Sequence, residues 1–402
     1  MKRFRACFGD LVDPRTGNAQ RHDLLEIVLI ALSATLCGAE TCVDMALFGR
    51  AKEPFLRRFL QLPGGIPSHD TFSRIFRLLD PDAFEASFGR FVAAFAHAGS
   101  GEVVAVDGKT ARRSFDRKGG RRPLHMVNAW AVEQRLVLGQ CKVGGASNEI
   151  EALPELLALL ALEGRIVTAD AMHCQRATAQ TILERGGDYC LALKGNQPAL
   201  FEDVRLWLDD PATTVDDACQ TVDGDHGRIE TRRARVVDDV AWLEHHGFPG
   251  LAAVAKVTAS REIDGKSTTA SRYYLLSKPL DAARLAEVVR THWHIENRLH
   301  WVLDVVMDED RSRARKDHAP ENLARIRRFA LNLLRANPDQ GSTRGKIKRA
   351  GCDDAFLLKI LSAVSCDCLA IPGGSPRSLG RSGSRRRPTH CRRRRSCRTR
   401  CA

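Results

Sequence analysis

Two short apolar runs each close on an aspartate: VVAV at 103–106 leads into Asp107, and IVTA at 166–169 leads into Asp170. Short apolar runs rich in β-branched residues and bounded by turn or polar positions predict buried strands. A lone carboxylate at the end of such a strand is costly to desolvate. If the two strands are parallel neighbours, their acids meet at one edge of the sheet, and that arrangement needs a cation. Ligands that are all oxygen select Mg2+ or Mn2+. The alternative is that these acids cap helices, above all Asp170 ahead of AMHCQ.

The surrounding pattern sets the fold class. EVVAVDG, HMVNAWAVE and RLVLGQCKV predict three strands. A helix (EIEALPELLALLALEG), the strand RIVTADAM, a helix (QRATAQTILERGG) and the strand DYCLALKG follow. Strands followed by helix–strand alternation predict an α/β domain with a mixed sheet. From about 215 to 278 the alternation is interrupted by runs that read as inserted antiparallel strands. DAARLAEVVRTHWHIENRLHWVLDVV then predicts one long helix, and PENLARIRRFALNLLRAN another. Ahead of the α/β part, residues 1–98 read as a small all-helical module, with Ser68 preceding one helix and Pro81 starting another. The expected organisation is a helical domain over 1–98, an α/β domain over 99–364 and an Arg-rich, low-complexity segment over 365–402.

Charge alone points less clearly to nucleic acid. The net charge is +13, but residues 377–402 hold eleven arginines and no acid, leaving 51 basic and 49 acidic residues elsewhere. Within the remainder, residues 311–349 carry twelve basic and three acidic residues, which fits a phosphate-binding surface beside a metal site. The last segment has two readings, a basic tail that cannot build a core or out-of-frame translation. The apolar stretch Leu24–Leu36 contains Glu26 and is short of a bilayer span, and the first residues lack the pattern of a signal peptide. A cytoplasmic, nucleoid-associated protein is expected. Eight of the thirteen cysteines are scattered through the first 352 residues and read as small buried thiols, while Cys366 and Cys368 are too close together for a zinc-knuckle pair.

A third acid, Glu296, lies in THWHIENRLHWVLD, with Asn297, His300 and Asp304 near helical spacing from it. At these residues the chain resembles a known family. VDGKT, SNEIEALPELLALLALEGRIVTADAMHCQ, DYCLALKGNQ and HWHIENRLHWVLDV are similar to bacterial insertion-sequence transposases of the H-repeat-associated type, from about Asp13 to about Leu361. The resemblance implies a DDE-superfamily enzyme with an RNase H-like catalytic domain and Asp107, Asp170 and Glu296 as its catalytic, metal-binding acids. It departs from the pattern at three places: His292 and Val289 replace an Arg and a Tyr common before the Glu, and Ala146 replaces a Lys common before Ser-Asn-Glu.

The implied chemistry is metal-dependent cleavage and strand transfer at the ends of an insertion sequence. Two Mg2+ (or Mn2+) ions are expected, with Asp107 bridging, Asp170 on one ion and Glu296 on the other. The implied partners are double-stranded DNA, as terminal inverted repeats and target, and a second copy of the chain as a homodimer. A nuclease of the same fold without strand transfer, and an inactive DNA-binding remnant, are the competing readings. Candidate DNA contacts are Lys109, Arg112 and Arg113, with Lys118, Arg121 and Arg122 beyond them, then Lys194, Asn196, Gln197, His292 and Arg298. Set against each is a solvated loop. His173 reads as a polar helix-start residue, and Trp293 and Trp301 as core.

Overall fold

The computed structural model describes residues 2–362, apart from 95, 97–100, 117–119, 121, 145–148, 214, 216, 226, 227, 264 and 265. Lys118, Arg121, Ala146 and the Arg-rich segment from 365 therefore lie outside the described residues.

The chain begins with helices α1 (Lys2–Phe8), α2 (Leu24–Leu36), α3 (Cys42–Ala51), α4 (Glu53–Leu56), α5 (His69–Leu78) and α6 (Pro81–Ala93). Their ends follow from local chemistry. Asp23 accepts from the Glu26 amide ahead of α2, Thr41 and Asp44 cap each other at α3, and Ser68 accepts from the Thr71 amide at α5. Strands β1 (Val103–Ala111), β2 (Leu124–Ala131) and β3 (Leu136–Lys142) form a meander. Then come α7 (Glu149–Ala158), β4 (Ile166–Ala169), α8 (Arg176–Glu184), β5 (Asp188–Leu193) and α9 (Pro198–Asp209).

The inserted region contains β6 (Asp217–Asp225), β7 (Arg228–Val237), β8 (Ala253–Ile263) and β9 (Lys266–Leu276). After it the chain is helical: α10 (Ala282–His292), a π-helical segment Ile295–His300, α11 (Trp301–Val305), α12 (Ala319–Ala336), α13 (Thr343–Cys352) and α14 (Asp354–Ser362). The insert does not form a separate layer. It extends the same sheet, whose order is β3-β2-β1-β4-β5-β9-β8-β7-β6. β1, β4 and β5 are parallel neighbours, and the other pairs are antiparallel. This is the expected mixed α/β fold with a helical N-terminal region.

The helical region shares its core with the C-terminal helices. Phe4, Phe8, Phe88 and Phe91 all pack on Phe329 of α12, with ring centroids 4.6 to 6.5 Å apart. On β3, α12 is fixed by Asn332, whose side chain accepts from the Val137 amide at 2.9 Å and donates to its carbonyl at 2.8 Å.

Three expectations change. The single long helix over 281–306 is broken, because α10 ends at His292 and the chain passes through the wider π turn before α11. Trp293 and Trp301 consequently do not enter the core and are 43% and 55% exposed. Part of the basic stretch 311–349 is internal: Arg325, Arg327 and Arg328 of α12 are buried, as is Lys346, whose ammonium caps α12 through the carbonyls of Leu334 and Asn337. Arg325 pairs with Glu85 and Glu321, and Arg328 with Glu309, so the charge count overstates what a phosphate can meet. Of the eight scattered cysteines, Cys7, Cys174 and Cys190 are buried, whereas Cys352 is exposed.

Candidate active site

The register of the two central parallel strands places the first two acids. Val106 of β1 is the partner of Ala169 of β4, so the next residues stand side by side: Asp170 just past β4, and Asp107 not at the expected strand end but within β1, which runs on to Ala111. Asp170 stands at the N-cap position of a 3-10 turn, Ala171–His173, but its side chain makes no capping hydrogen bond and is 60% exposed. The capping role weighed from sequence is therefore absent, and the carboxylate is available to a ligand.

Glu296 reaches the same place from the π turn, where the Trp301 amide bonds to the Glu296 carbonyl five residues back. That turn presents Glu296 and His300 together: His300 Nδ1 lies 3.3 Å from Glu296 Oε2 and 3.5 Å from Asp107 Oδ2. One donor atom from each of Asp107, Glu296 and His300 fits within a 4.8 Å circle. Burial pushes the Asp107 carboxyl up to about 8, with Glu296 and then Asp170 adding to the shift. The hydrogen bond with His300 holds Glu296 down at about 2. Each carboxyl shifts the other, and His300 favours the ionised form of Glu296 while burial disfavours that of Asp107. Two carboxylates brought together with one imidazole are a donor set suited to a divalent cation.

His292 links the third side. Its Nδ1 is 3.0 Å from Thr168 Oγ1 and its Nε2 is 3.7 Å from Asp170 Oδ1, and burial lowers its pKa. Lys194, Arg272, Tyr274 and Trp293 line a cavity with Asp170 and His292, and the Arg272 guanidinium lies 4.9 Å above the Trp293 ring. Lys194 is exposed at this cavity.

The remaining candidates divide. Lys109 is buried, and its ammonium is 2.6 Å from Asp304, 3.3 Å from Glu309 and 3.8 Å from Asp310. It braces β1 against the segment after α11 and does not face solvent. Arg112 is exposed and pairs with Asp310, while the Arg113 carbonyl accepts from Arg315. Asn196 and Gln197 donate to the carbonyls of Ala171 and Cys174, so they hold the turn that carries Asp170. Arg298 is half-buried, and its carbonyl accepts from Arg335.

Sequence reasoning overlooked a group directly behind the acids. Glu149 lies 2.6 Å from His125 Nε2 and 3.3 Å from His173 Nε2, and His125 Nδ1 meets Thr110 Oγ1 at 2.7 Å. These histidines hold the Glu149 carboxyl down at about 2. The cluster packs on Gly108: a Cβ there would stand 2.6 Å from both Glu149 Oε2 and His125 Nε2. His173 is thus a buried partner of Glu149, not simply a polar residue at a helix start. The clue in the sequence was the Glu of SNEIEALPELL, which lies within the stretches that carry the resemblance. Under Asp107, Asn128 is its register partner on β2 and accepts from Arg328 Nε at 2.7 Å, and Arg328 pairs with Glu309 at 2.6 Å.

The site thus gathers Asp107 from within β1, Asp170 from just past β4 and Glu296 from the π turn. Residues 98–333 match the model of the transposase DDE domain, and residues 5–92 match that of the DDE_Tnp_1-associated domain. The chain belongs to the transposase DDE domain family, as the motif resemblance implied. Among its relatives, "Uncharacterized protein in dhlA 3'region" of Xanthobacter autotrophicus is 46% identical over 276 residues, 67% of this chain and 92% of its own length. "Putative transposase YncI" of Escherichia coli O157:H7 is 36% identical over 363 residues, 88% and 93% of the two chains. "H repeat-associated putative transposase YhhI" of Escherichia coli K12 is 35% identical over 351 residues, 85% and 93% of the two chains. No helix among the described residues is long and apolar enough to cross a membrane.

Proposed function

We propose that the chain is a DNA transposase that cuts the ends of an insertion sequence and joins them to target DNA, with Asp107, Asp170 and Glu296 as its catalytic acids. The observation that carries this reading is the convergence of Asp107 and Glu296 on His300, beside the strand end that delivers Asp170. The three carboxylates would hold two Mg2+ or Mn2+ ions. When bound, such ions supply Lewis acidity for the attacking and leaving oxygens of an in-line displacement at phosphorus.

The protein's own part is positioning and charge. His300 orients Glu296 toward Asp107, His292 steadies Asp170, and Lys194 and Arg272 offer positive charge to the phosphates beside it. In the first reaction water attacks an end phosphodiester, a P–O bond forms as another breaks, and a 3′-hydroxyl is released. In the second that hydroxyl attacks a target phosphodiester, exchanging one P–O bond for another without external energy.

DNA would also run along a groove between α5 and the segment after α11, lined by His69, Ser73 and Arg77 on one side and Arg311, Arg313 and Lys316 on the other. Terminal-repeat recognition is assigned to Ser68–Arg77, and two copies of the chain would act together on paired ends. Incubation with DNA carrying the element's terminal repeats tests the reading. Mg2+-dependent nicking and joined products are expected, both lost in Asp107→Asn, Asp170→Asn and Glu296→Gln while DNA binding is kept. Nicking that survives excess EDTA, or any of these substitutions, would overturn it; nicking without joining would leave a nuclease.

A further inference from the structure

A second cluster of metal-binding side chains lies away from the acids, where the β7–β8 connection meets α9. That connection is a 3-10 helix, Ala241–His246, ending at Gly247 in the left-handed conformation. Its last two side chains, His245 and His246, have ring centroids 4.0 Å apart, and both turn toward Asp203 of α9. His246 Nε2 is 2.8 Å and His245 Nε2 3.7 Å from the same oxygen, Asp203 Oδ2. One ligand atom from each residue fits within 4.8 Å of the others.

The tautomer of His245 is fixed by its neighbour. Its Nδ1 is 3.1 Å from the Trp242 carbonyl, which can only accept, so Nδ1 carries the hydrogen. In the neutral ring the Nε2 lone pair then points at a carboxylate oxygen, acceptor toward acceptor. A metal-ligating histidine characteristically has this arrangement, its second nitrogen donating to a backbone carbonyl. Ligand atoms about 2.0–2.1 Å from a tetrahedral ion lie about 3.3 Å from one another. The observed 2.8 and 3.7 Å separations straddle that value.

The frame around the cluster is already braced. Arg176 donates to the carbonyls of His246 and Gly247, and one turn along α9 from Asp203 the Trp207 ring stacks on Trp242 at 4.9 Å. His245 is 64% and Asp203 43% exposed on their side chains, so an ion can enter.

We propose that Asp203, His245 and His246 bind one borderline divalent ion, with Zn2+ the best fit, and that this ion pins the β7–β8 connection onto α9. Two imidazoles and one carboxylate select Zn2+ over Mg2+, so the site is chemically distinct from the all-carboxylate site. Its role is to stiffen the inserted half of the sheet.

The test counts Zn2+ bound to the full-length chain against a chromophoric chelator, with excess Mg2+ present. The wild type should hold one more equivalent than His245→Ala, or hold it at least tenfold more tightly. Asp203→Asn should show the same loss, and Zn2+ should raise the wild-type melting temperature but not that of the variants. Equal stoichiometry and affinity in wild type and His245→Ala would overturn the proposal. X-ray absorption of the Zn2+-loaded wild type needs no variant: imidazole scattering supports the site, and sulfur-only coordination refutes it.

Discussion

The Nδ1 of His300 lies 3.5 Å from the Oδ2 of Asp107, from a side chain that is itself only 6% exposed. The same nitrogen serves Glu296, so one ring sets the spacing of two acids that stand 189 positions apart in the chain. His300→Ala should lower the cleavage rate about 10- to 100-fold, the usual effect of losing a residue that orients metal ligands. It should also raise the Mg2+ concentration needed for half-maximal rate. An unchanged Mg2+ requirement, measured by single-turnover cleavage, would show that His300 serves folding only.

Gly108 provides the surface on which Glu149 and His125 rest. Gly108→Ala should displace that pair and cost about 1 kcal/mol, the low end of overpacking, because the atoms it meets are side-chain ends. Since the displaced groups lie behind Asp107, cleavage should fall by more than stability does. Denaturant midpoints and cleavage rates on the same preparation separate the two effects.

Glu309 is buried between Arg328 and Lys109. Burial alone would raise its pKa, but the charges of Arg328 and Lys109 outweigh that and hold it at about 2. Its folded value lies below the unfolded value of about 4.3, so its contribution is full above that pH and is lost as pH falls toward 2. Glu309→Gln should destabilise the chain by about 3 kcal/mol near neutral pH, because buried Arg328 loses its carboxylate and Lys109 loses one of three. The variant should show a flatter loss of stability between about pH 4.3 and 2. Urea melts at several pH values check both, and parallel acid limbs would contradict the assignment.

Arg74 is exposed on α5, on the helix assigned to terminal-repeat recognition. Arg74→Ala should weaken binding to the terminal repeats and, if it contacts a phosphate, reduce the slope of log affinity against log salt by about 1. Cleavage of DNA already bound at saturation should be unaffected. Binding isotherms over a salt series provide the measurement.

The first two acids were legible because an apolar run that closes on an aspartate is a local signal, and a parallel register turns it into geometry. Glu296 was legible only through the longer motif around it. The π turn was not, since IENRLH contains neither Gly nor Pro and reads as uninterrupted helix. With that break unseen, Trp293 and Trp301 were assigned to the core they do not reach. Lys109 and Arg328 read as surface charges because Lys109's partner Asp304 is 195 positions away and Arg328's partner Asn128 is 200 away, and no local pattern reports such pairings.

The helix that precedes Glu296 rests on both halves of the sheet. α10 packs against β1 and β4 beside the aspartates and also against β6 and β7, with the Ala282 amide donating to Asp217 and Arg290 pairing with Asp223. In a flat sheet β1 and β6 would stand roughly 29 Å apart, whereas α10 is only about 16 Å long. The sheet must therefore curl around the helix as a hand closes on a rod. The curl is what brings the outer strands within reach, so the tightness of that grip and the position of Glu296 relative to Asp107 change together. A substitution at the far rim, such as one at Asp223, is expected to reach Glu296 at a distance, through the rod that Arg290 ties to that rim.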